Sequence, residues 1–238
     1  MIRRRQTISE LRWPETDEFM VISKDWCETA SINILTFVWK GYDLLVNEVF
    51  SEIDCSQAED DIERDITQLL EPEIRSVMTG DEPYYVQHGS YERETRQVAP
   101  AQPKEYDIAF ILRKNRRIIW PLEAKVLKTD GAVGEYVKEI NENFITCKYA
   151  PFSYEGGMLG YLFSGDPNKA FTNIETKVPC TLNDHPDFPI RDHKTSDHQR
   201  VVPSGKSYPV NFRCHHLLFK IIATGANATD TNNISSIE

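Results

Sequence analysis

The sequence predicts an α/β fold in which a central mixed β-sheet is flanked by helices. Three observations lead to this prediction: apolar residues at helical spacing early in the chain, two β-rich segments joined by a polar turn in its middle, and a further helix and strand after them. The chain has 238 residues, 40% of them hydrophobic, which is enough for one substantial core. We expect a single domain over residues 1–222, with a core at about 56–165 and a C-terminal elaboration at 166–222.

Two helices are predicted before the sheet. Residues 29–50 carry apolar side chains at a spacing of three and four, which is typical of a long helix packed on a core. Ser56 to Glu59, with the sequence Ser-Gln-Ala-Glu, has the form of a capping box. It predicts the start of a second helix, whose apolar face continues until Pro72 disturbs it.

The strands of the sheet are predicted in the middle of the chain. A short strand is expected at Tyr84 to His88. The apolar run Ile108 to Leu112, the polar turn Arg113 to Arg117 and the β-rich run Ile118 to Leu127 together indicate a hairpin. Pro121 has no N–H to donate, so it implies an edge position or a bulge in the second strand of this hairpin.

After the hairpin, residues 131–148 predict a helix and Met158 to Phe163 a buried strand. Asp166 followed by Pro167 is typical of a helix start, and this helix is expected to run to about residue 176.

The last third of the chain predicts little regular structure. Residues 179–209 are rich in proline and histidine and predict a long irregular excursion. A final strand is expected at Val210 to Ile222. Residues 223–238 consist largely of Thr, Asn, Ala, Ser and Asp without periodicity, which predicts a disordered tail.

Cysteine usage and hydropathy indicate the compartment. The five cysteines include no Cys-x-x-Cys pair, which argues against a disulfide framework and against a ribbon-type zinc site, and favours reduced, mostly buried thiols. No apolar run approaches the roughly 20 residues that cross a bilayer, and residues 1–6 lack the apolar stretch of a secretion signal. We expect a soluble, cytoplasmic protein without membrane contact.

The net charge of −10 counts against a protein that binds nucleic acid through bulk electrostatics, because Lys and Arg supply most of the non-specific affinity. Contacts to DNA would have to use local basic patches, for which Arg3 to Arg5, Arg113 to Arg117, Lys138 and Lys148 are candidates. A solvated surface explains each patch equally well when it is taken singly.

Asp107, Glu123 and Lys125 are the candidate residues for chemistry. Alternation along a strand places Glu123 and Lys125 on the same face, and a closed hairpin would bring Asp107 near them. Hard divalent ions such as Mg²⁺ are held by one or two carboxylates together with water and phosphate oxygens. Lys125 would position or deprotonate an attacking water and offset charge that grows on a phosphate.

Asp107 followed by Leu122-Glu123-Ala124-Lys125 resembles the signature of the PD-(D/E)XK, or restriction-endonuclease-like, nuclease superfamily. That signature is an acidic residue on one strand, then Glu or Asp, any residue and Lys on the next. The resemblance covers about residues 56–165. It implies an endonuclease that depends on Mg²⁺ or Mn²⁺, acts on DNA rather than RNA, and serves prokaryotic restriction or antiphage defence.

The same resemblance implies an acidic residue on the helix that precedes the sheet, where it completes the metal site. Glu59 and Glu63 lie one turn apart on the second predicted helix and share a face. Because Glu59 is the partner residue of the capping box, we expect Glu63 to join Asp107 and Glu123 as the third metal ligand.

More loosely, Glu135 to Val137, the Lys148-Tyr149 pair and Met158 to Tyr161 resemble nuclease domains of bacterial antiviral systems. In such a domain Tyr136 and Lys148 would contact the scissile phosphate or its neighbour. A position in the apolar core is the interpretation that we favour for Tyr136.

Histidine and cysteine residues of the last third are alternative metal ligands, although none has a recognised zinc-ligand spacing. They are His185, His193, His198, His215, His216, Cys180 and Cys214. His215 and His216 are consecutive in an apolar strand, so one of them must face inward. A hydrogen-bonded core histidine is the simplest interpretation, and a position bordering the active site is the alternative.

Other classes of protein have little support. The sequence contains no Gly-rich phosphate loop, no Gly-x-Ser-x-Gly elbow and no Rossmann fingerprint. The second hypothesis is a non-catalytic subunit, in which a nuclease-like fold serves as a protein-binding or nucleic-acid-sensing module. The acidic balance favours it, and an enzyme with this charge would rely on protein partners or a homo-oligomer to deliver DNA.

Overall fold

The computed structural model describes residues 7–48, 58–92, 94–95 and 103–221. Its elements, in chain order, are α1 (Ile8–Arg12), α2 (Asp17–Glu48), α3 (Glu59–Val77), β1 (Tyr84–Tyr91), β2 (Glu105–Leu112), β3 (Ile119–Leu127), α4 (Gly134–Glu139), a π-helical turn (Ile140–Phe144), β4 (Glu155–Leu162), α5 (Pro167–Lys177), β5 (Asn183–Asp184), β6 (His193–Gln199) and β7 (Asn211–Lys220).

All seven of these strands form one mixed sheet in the order β1-β2-β3-β4-β7-β6-β5. The three central strands β3, β4 and β7 run parallel to one another. The flanking pairs are antiparallel. The predicted α/β fold with a central mixed sheet flanked by helices is therefore confirmed.

The two faces of the sheet pack against different helices. On β3, Trp120, Leu122 and Ala124 belong to the apolar cluster that contains the buried residues of α2 and α3. Ile119 and Leu127 of the same strand belong to the cluster that contains the buried residues of α4 and α5. The strand alternation that predicts the position of each side chain thus also divides the core into two layers.

Helix α2 begins twelve residues before the predicted start at residue 29. Thr16 Oγ1 accepts the N–H of Phe19 at 3.2 Å, which satisfies one of the free donors of the first turn. Phe19, Trp26 and Cys27 are buried on the same core cluster as the predicted part of the helix. The predicted N-terminal end of α2 was therefore wrong, because these three residues continue the apolar face of the helix toward its start.

Helix α3 begins at Glu59, later than a cap at Ser56 would place it. Its N-cap residue is Ala58, which makes no side-chain cap hydrogen bond, while Ser56 and Gln57 lie outside the described residues. Glu59 forms an ion pair of 2.8 Å with Lys128. The helix also continues through Pro72 to Val77, against the prediction, because burial of residues on both sides of the proline outweighs the lost hydrogen bond.

The predicted hairpin is formed by β2 and β3, but Pro121 does not lie at an edge. Strand β3 is interior, between β2 and β4. The parallel ladder to β4 begins at Leu122, which pairs with Gly157, so Pro121 precedes the positions where an N–H to β4 is needed. Its ring also explains Gly156, where an added Cβ would lie 2.9 Å from Pro121 Cγ.

The region after the hairpin departs from the prediction at two places. The helix expected at 131–148 is shorter and consists of α4 followed by the π-helical turn. The excursion at 179–209 contains β5 and β6, and β6 pairs with β7 along its whole length. Strand β6 was not predicted because its sequence has no alternation of apolar and polar residues. The sequence is His-Lys-Thr-Ser-Asp-His-Gln.

The predicted start of the helix after Asp166 is confirmed. Asp166 caps α5 and accepts the N–H groups of Asn168 and Lys169. Cys27, Cys147, Cys180 and Cys214 are free thiols, and all but Cys180 are buried. No helix in the described part of the chain is both long and apolar enough to span a bilayer. The predicted tail at 223–238 lies outside the described residues.

Candidate active site

Asp107 is held where β2 and β3 separate. The paired positions of the two strands end at Ile108 and Leu122. Beyond this point Asp107 Oδ2 accepts the N–H of Ala124 at 2.7 Å, so the carboxylate replaces a backbone carbonyl of the ladder. Burial raises the pKa of Asp107 although Lys125 and the Ala124 N–H oppose the rise. The bond to Ala124 places Asp107 beside Glu123.

Glu123 is the most deeply buried acid of the site. It is 3% exposed, and its Oε1 has no hydrogen-bond partner among the described residues. Burial, followed by the charges of Asp107 and Glu139, raises the pKa of Glu123 well above its usual value. A buried carboxyl oxygen without a partner is costly, and either a proton or a bound cation would relieve that cost.

Lys125 lies beside Glu123 and forms an ion pair with Glu63 of α3. The Lys125 Nζ and Glu63 Oε1 are 2.7 Å apart, and Glu63 Oε2 accepts the N–H of Val126 at 3.3 Å. Burial opposes the charge on Lys125, but Glu63, Asp107 and Glu123 together raise its pKa. The ammonium group is therefore held in its charged form between carboxylates from three elements.

The structure thus brings together the four residues that the sequence predicts for the site. They are Asp107 from β2, Glu123 and Lys125 from β3, and Glu63 from α3. Their carboxyl oxygens are the ligand type that Mg²⁺ prefers, and the partnerless Glu123 oxygen fits a cation. The structure pairs Glu63 with Lys125, so its role as a third metal ligand stays a prediction.

Two compact groups of potential metal ligands occur elsewhere in the described ranges. Their candidate ligand atoms lie within 4.8 Å of one another, and the groups are His185, His193 and His215, and Glu10, Glu15 and Glu94. Arg117 binds two residues of the second group, Glu15 and Glu94, so part of the negative charge of that group is already offset. The carboxylates of the candidate active site form no such compact group while Glu63 binds Lys125.

Two further residues border the site. The Tyr149 hydroxyl donates to the carbonyl oxygen of Glu105 at 3.4 Å, and burial followed by the charges of Glu123 and Glu139 raises the pKa of Tyr149. Glu139, at the end of α4, is held by the amide of Asn143 in the π-helical turn. Tyr149 was part of a segment noted by resemblance, whereas Glu139 was missed. Its signal would have been an acid on the inward face of a helix that follows the Lys125 strand.

The predicted basic patches are only partly available to a ligand. Arg117 is 5% exposed and binds Glu15 and Glu94, so a contact with DNA is excluded for this residue. Arg113 and Arg116 lie over the ring of Tyr85.

The remaining basic candidates differ from one another. Lys138 forms an ion pair with Glu135, and Lys148 is exposed. Arg3 to Arg5 lie outside the described residues. Tyr136 is fully buried and its hydroxyl lies 3.0 Å from His216 Nδ1. The favoured core position of Tyr136 is confirmed, and its contact with a phosphate is excluded.

Comparisons of the chain with protein-family models, with curated proteins and with solved structures found no match.

The metal-free protein is expected to lose stability as the pH rises from about 4.5 to 7. Burial raises the pKa of Glu63 from 4.5 to about 7 although Lys125 opposes the rise. Because the folded state holds this proton more tightly than the unfolded chain, the stabilisation is complete below about pH 4.5 and is lost as the pH rises through about 7.

The measurement is chemical unfolding in chelator at a series of pH values, with Glu63→Gln beside the wild type. The variant should show a shallower decline between the two pH values. Equal slopes for the two proteins would contradict the assignment of the pH dependence to Glu63.

Proposed function

We propose that the protein is a metal-dependent endonuclease of the restriction-endonuclease-like kind, which hydrolyses DNA phosphodiester bonds. The observation that carries the proposal is the meeting of Asp107, Glu123 and Lys125 where β2 and β3 separate. A buried and a half-buried carboxyl group beside a charged ammonium group suit the metal-assisted hydrolysis of a phosphodiester.

Each side chain has a chemical role in this proposal. Asp107 and Glu123 would hold Mg²⁺ or Mn²⁺, with Glu63 as a further ligand once it releases Lys125. The ion would polarise the phosphate and lower the pKa of bound water. Lys125 would orient the attacking water and stabilise the charge that develops on the phosphate oxygens.

The order of elements around the site also supports the restriction-endonuclease-like fold. Helix α3 precedes the antiparallel strands β1, β2 and β3, and α4 leads from β3 to the parallel strand β4. An acid-bearing helix before the strands and a helix after the lysine strand are both implied by the resemblance.

Charge favours assistance from another molecule. The chain has a net charge of −10, and Lys128, Lys138 and Arg117 are engaged by glutamates. Phosphate neutralisation supplies much of the affinity for DNA. We therefore propose that a protein partner or a second copy of the chain delivers DNA to the site, in the cytoplasm and in prokaryotic restriction or antiphage defence.

The direct test is plasmid cleavage by the purified protein with Mg²⁺ or Mn²⁺. We expect nicked or linear DNA with either ion, no product when EDTA is added, and no product with Asp107→Asn. Linear RNA and single-stranded DNA of matched length would establish the preferred substrate. Asp184→Asn, at an exposed acid of β5, is the matched control and should cleave like the wild type.

A non-catalytic module is the second candidate. The closed ion pair between Lys125 and Glu63 favours it, because a structural pair would fill the same space. The enzyme proposal would give way to the non-catalytic module if the wild-type protein cut no DNA with either ion. The same assay would be repeated with the products of neighbouring genes added. A non-catalytic module would also keep its binding to a partner when Asp107, Glu123 and Lys125 are replaced by alanine.

A further inference from the structure

Three histidines meet on the face of the sheet that packs against α2. His193 comes from β6, His215 from β7, and His185 from the loop between β5 and β6. All three are less than a tenth exposed, and each offers a ring nitrogen within 4.8 Å of the other two. His215 lies 22 residues after His193, and the pairing of β6 with β7 brings the two together.

The spacing of two of the rings suits a transition-metal ion. His193 Nε2 and His215 Nδ1 are 3.3 Å apart. In a tetrahedral site with Zn–N bonds of about 2.0–2.1 Å, neighbouring ligand nitrogens are about 3.3–3.4 Å apart. The pair therefore has the separation of one tetrahedral edge, and His185 approaches from the adjoining loop.

Two of the histidines are oriented by a neighbouring group. His185 Nδ1 accepts the backbone N–H of Asp187 at 3.2 Å, so its Nε2 is the nitrogen that would bind. His215 Nε2 lies 3.2 Å from Glu155 Oε2, which fixes the ring so that Nδ1 faces the cluster. Carboxylates in this position orient metal-binding imidazoles and make them more basic.

The third ring shows what a metal ion would displace. Trp39 Nε1 donates to His193 Nδ1 at 3.3 Å, so the proton of the neutral ring is on Nε2 and points toward His215 Nδ1. A bound ion would take the place of that proton, which would move to Nδ1 or to solvent. The Trp39 N–H would then lose its acceptor or face an imidazolate, and either change would alter the environment of the indole.

The cluster is separate from the candidate active site. Leu217 and Phe219, on the same face of β7 as His215, belong to the α2 and α3 cluster. Ile119 and Leu127, on the same face of β3 as Glu123, belong to the opposite cluster. Glu123 and Lys125 therefore lie on the face of the sheet opposite the histidine cluster, and metal binding at the histidines can be measured independently of cleavage.

We propose that His185, His193 and His215 bind one transition-metal ion, with Zn²⁺ as the natural occupant, and leave a fourth position for water. Three neutral imidazoles are the ligands of such ions. The ion ties the loop that carries His185 to strands β6 and β7. Its function is structural: it fixes the end of the sheet that the predicted excursion forms.

The test is a titration of chelator-treated full-length protein with Zn²⁺ and Co²⁺. It uses the Asp107→Asn background, so that the acidic site contributes less to binding. We expect one equivalent of Zn²⁺ bound in competition with a chromophoric chelator, visible absorption of four-coordinate Co²⁺, and a change in tryptophan fluorescence. A higher unfolding temperature with Zn²⁺ is also expected.

Three variants decide the assignment, with circular dichroism to show that each is folded. His185→Gln, at the margin of the cluster, should abolish the Co²⁺ absorption and the thermal shift. Glu155→Gln should weaken Zn²⁺ binding by about 10–100-fold. His198→Gln should bind like the parent, because His198 contacts Ser196 and not the three-histidine cluster.

Asp107→Asn protein that binds no stoichiometric Zn²⁺ would overturn the proposal, as would His185→Gln and His198→Gln variants of this parent that bind Zn²⁺ equally. In either case His193 and His215 form only a hydrogen-bonded chain from Trp39 to Glu155, and the His185 ring only packs against them. Failure of DNA cleavage leaves this result unaffected, since the background already lacks an active-site ligand.

Discussion

Glu123→Gln is expected to abolish cleavage and to stabilise the metal-free protein at the same time. In the proposed enzyme the glutamine loses the charge that holds the metal ion, so the cleavage rate should fall by about a thousandfold or more. In the absence of metal, the glutamine removes a carboxyl group that is 3% exposed and whose Oε1 has no partner. The free energy of unfolding at pH 8 should rise by about 1–2 kcal/mol.

The opposite signs of the two effects make this prediction specific. Plasmid cleavage with Mg²⁺ and denaturant unfolding in chelator are measured on the same preparations. Glu135→Gln is the matched control, because Glu135 is exposed and pairs with Lys138, and it should change neither quantity. A glutamine variant that keeps cleaving, or one that is less stable than the wild type without metal, would contradict the role given to Glu123.

The meeting of Asp107, Glu123 and Lys125 could be anticipated because it depends on local rules. Alternation places Glu123 and Lys125 on one face of a strand, and a short polar turn returns the chain from β2 to β3. Both rules act within the stretch from Asp107 to Lys125. The sequence carries that information without any knowledge of distant contacts.

The position of Glu63 could not be anticipated in the same way. The sequence places it on the correct helix, but whether its carboxylate faces a metal ion or the Lys125 ammonium depends on how α3 packs on β3. That packing is decided by buried residues such as Ile62 and Ile66, whose contacts lie far away in sequence. The apolar pattern of a helix predicts which of its faces is buried, but it does not predict which side chain on another element each residue will contact.

Strand β6 and the histidine cluster show the same limit. A polar strand has no apolar alternation to reveal it, so residues 179–209 predicted an irregular excursion. Pairing of β6 with β7 then places His193 beside His215. The spacing of residues along the chain does not predict this strand pairing. The lack of a zinc-ligand motif in the sequence is therefore weak evidence against a metal site in the folded chain.

Lys125→Ala is expected to lower the single-turnover cleavage rate by about a thousand- to ten-thousandfold while metal still binds. The ammonium of Lys125 lies among Glu63, Asp107 and Glu123, which together raise its pKa. Its removal leaves the acidic residues that would hold the ion but takes away the group that orients water and stabilises the phosphate charge. The loss should therefore persist at saturating Mg²⁺ or Mn²⁺.

Lys128→Ala is the matched control for this loss. Lys128 directly follows β3 and forms an exposed ion pair with Glu59, so its removal should cost little and leave cleavage near the wild-type rate. Lys125→Arg keeps the charge but not the compact ammonium, and we expect only partial recovery of cleavage. Lys125→Ala protein that cuts within a few-fold of the wild type would show that the ion pair with Glu63 is structural. The metal site alone, or a contaminating nuclease, would then have to account for any cleavage, and Asp107→Asn separates these two because it removes only the former.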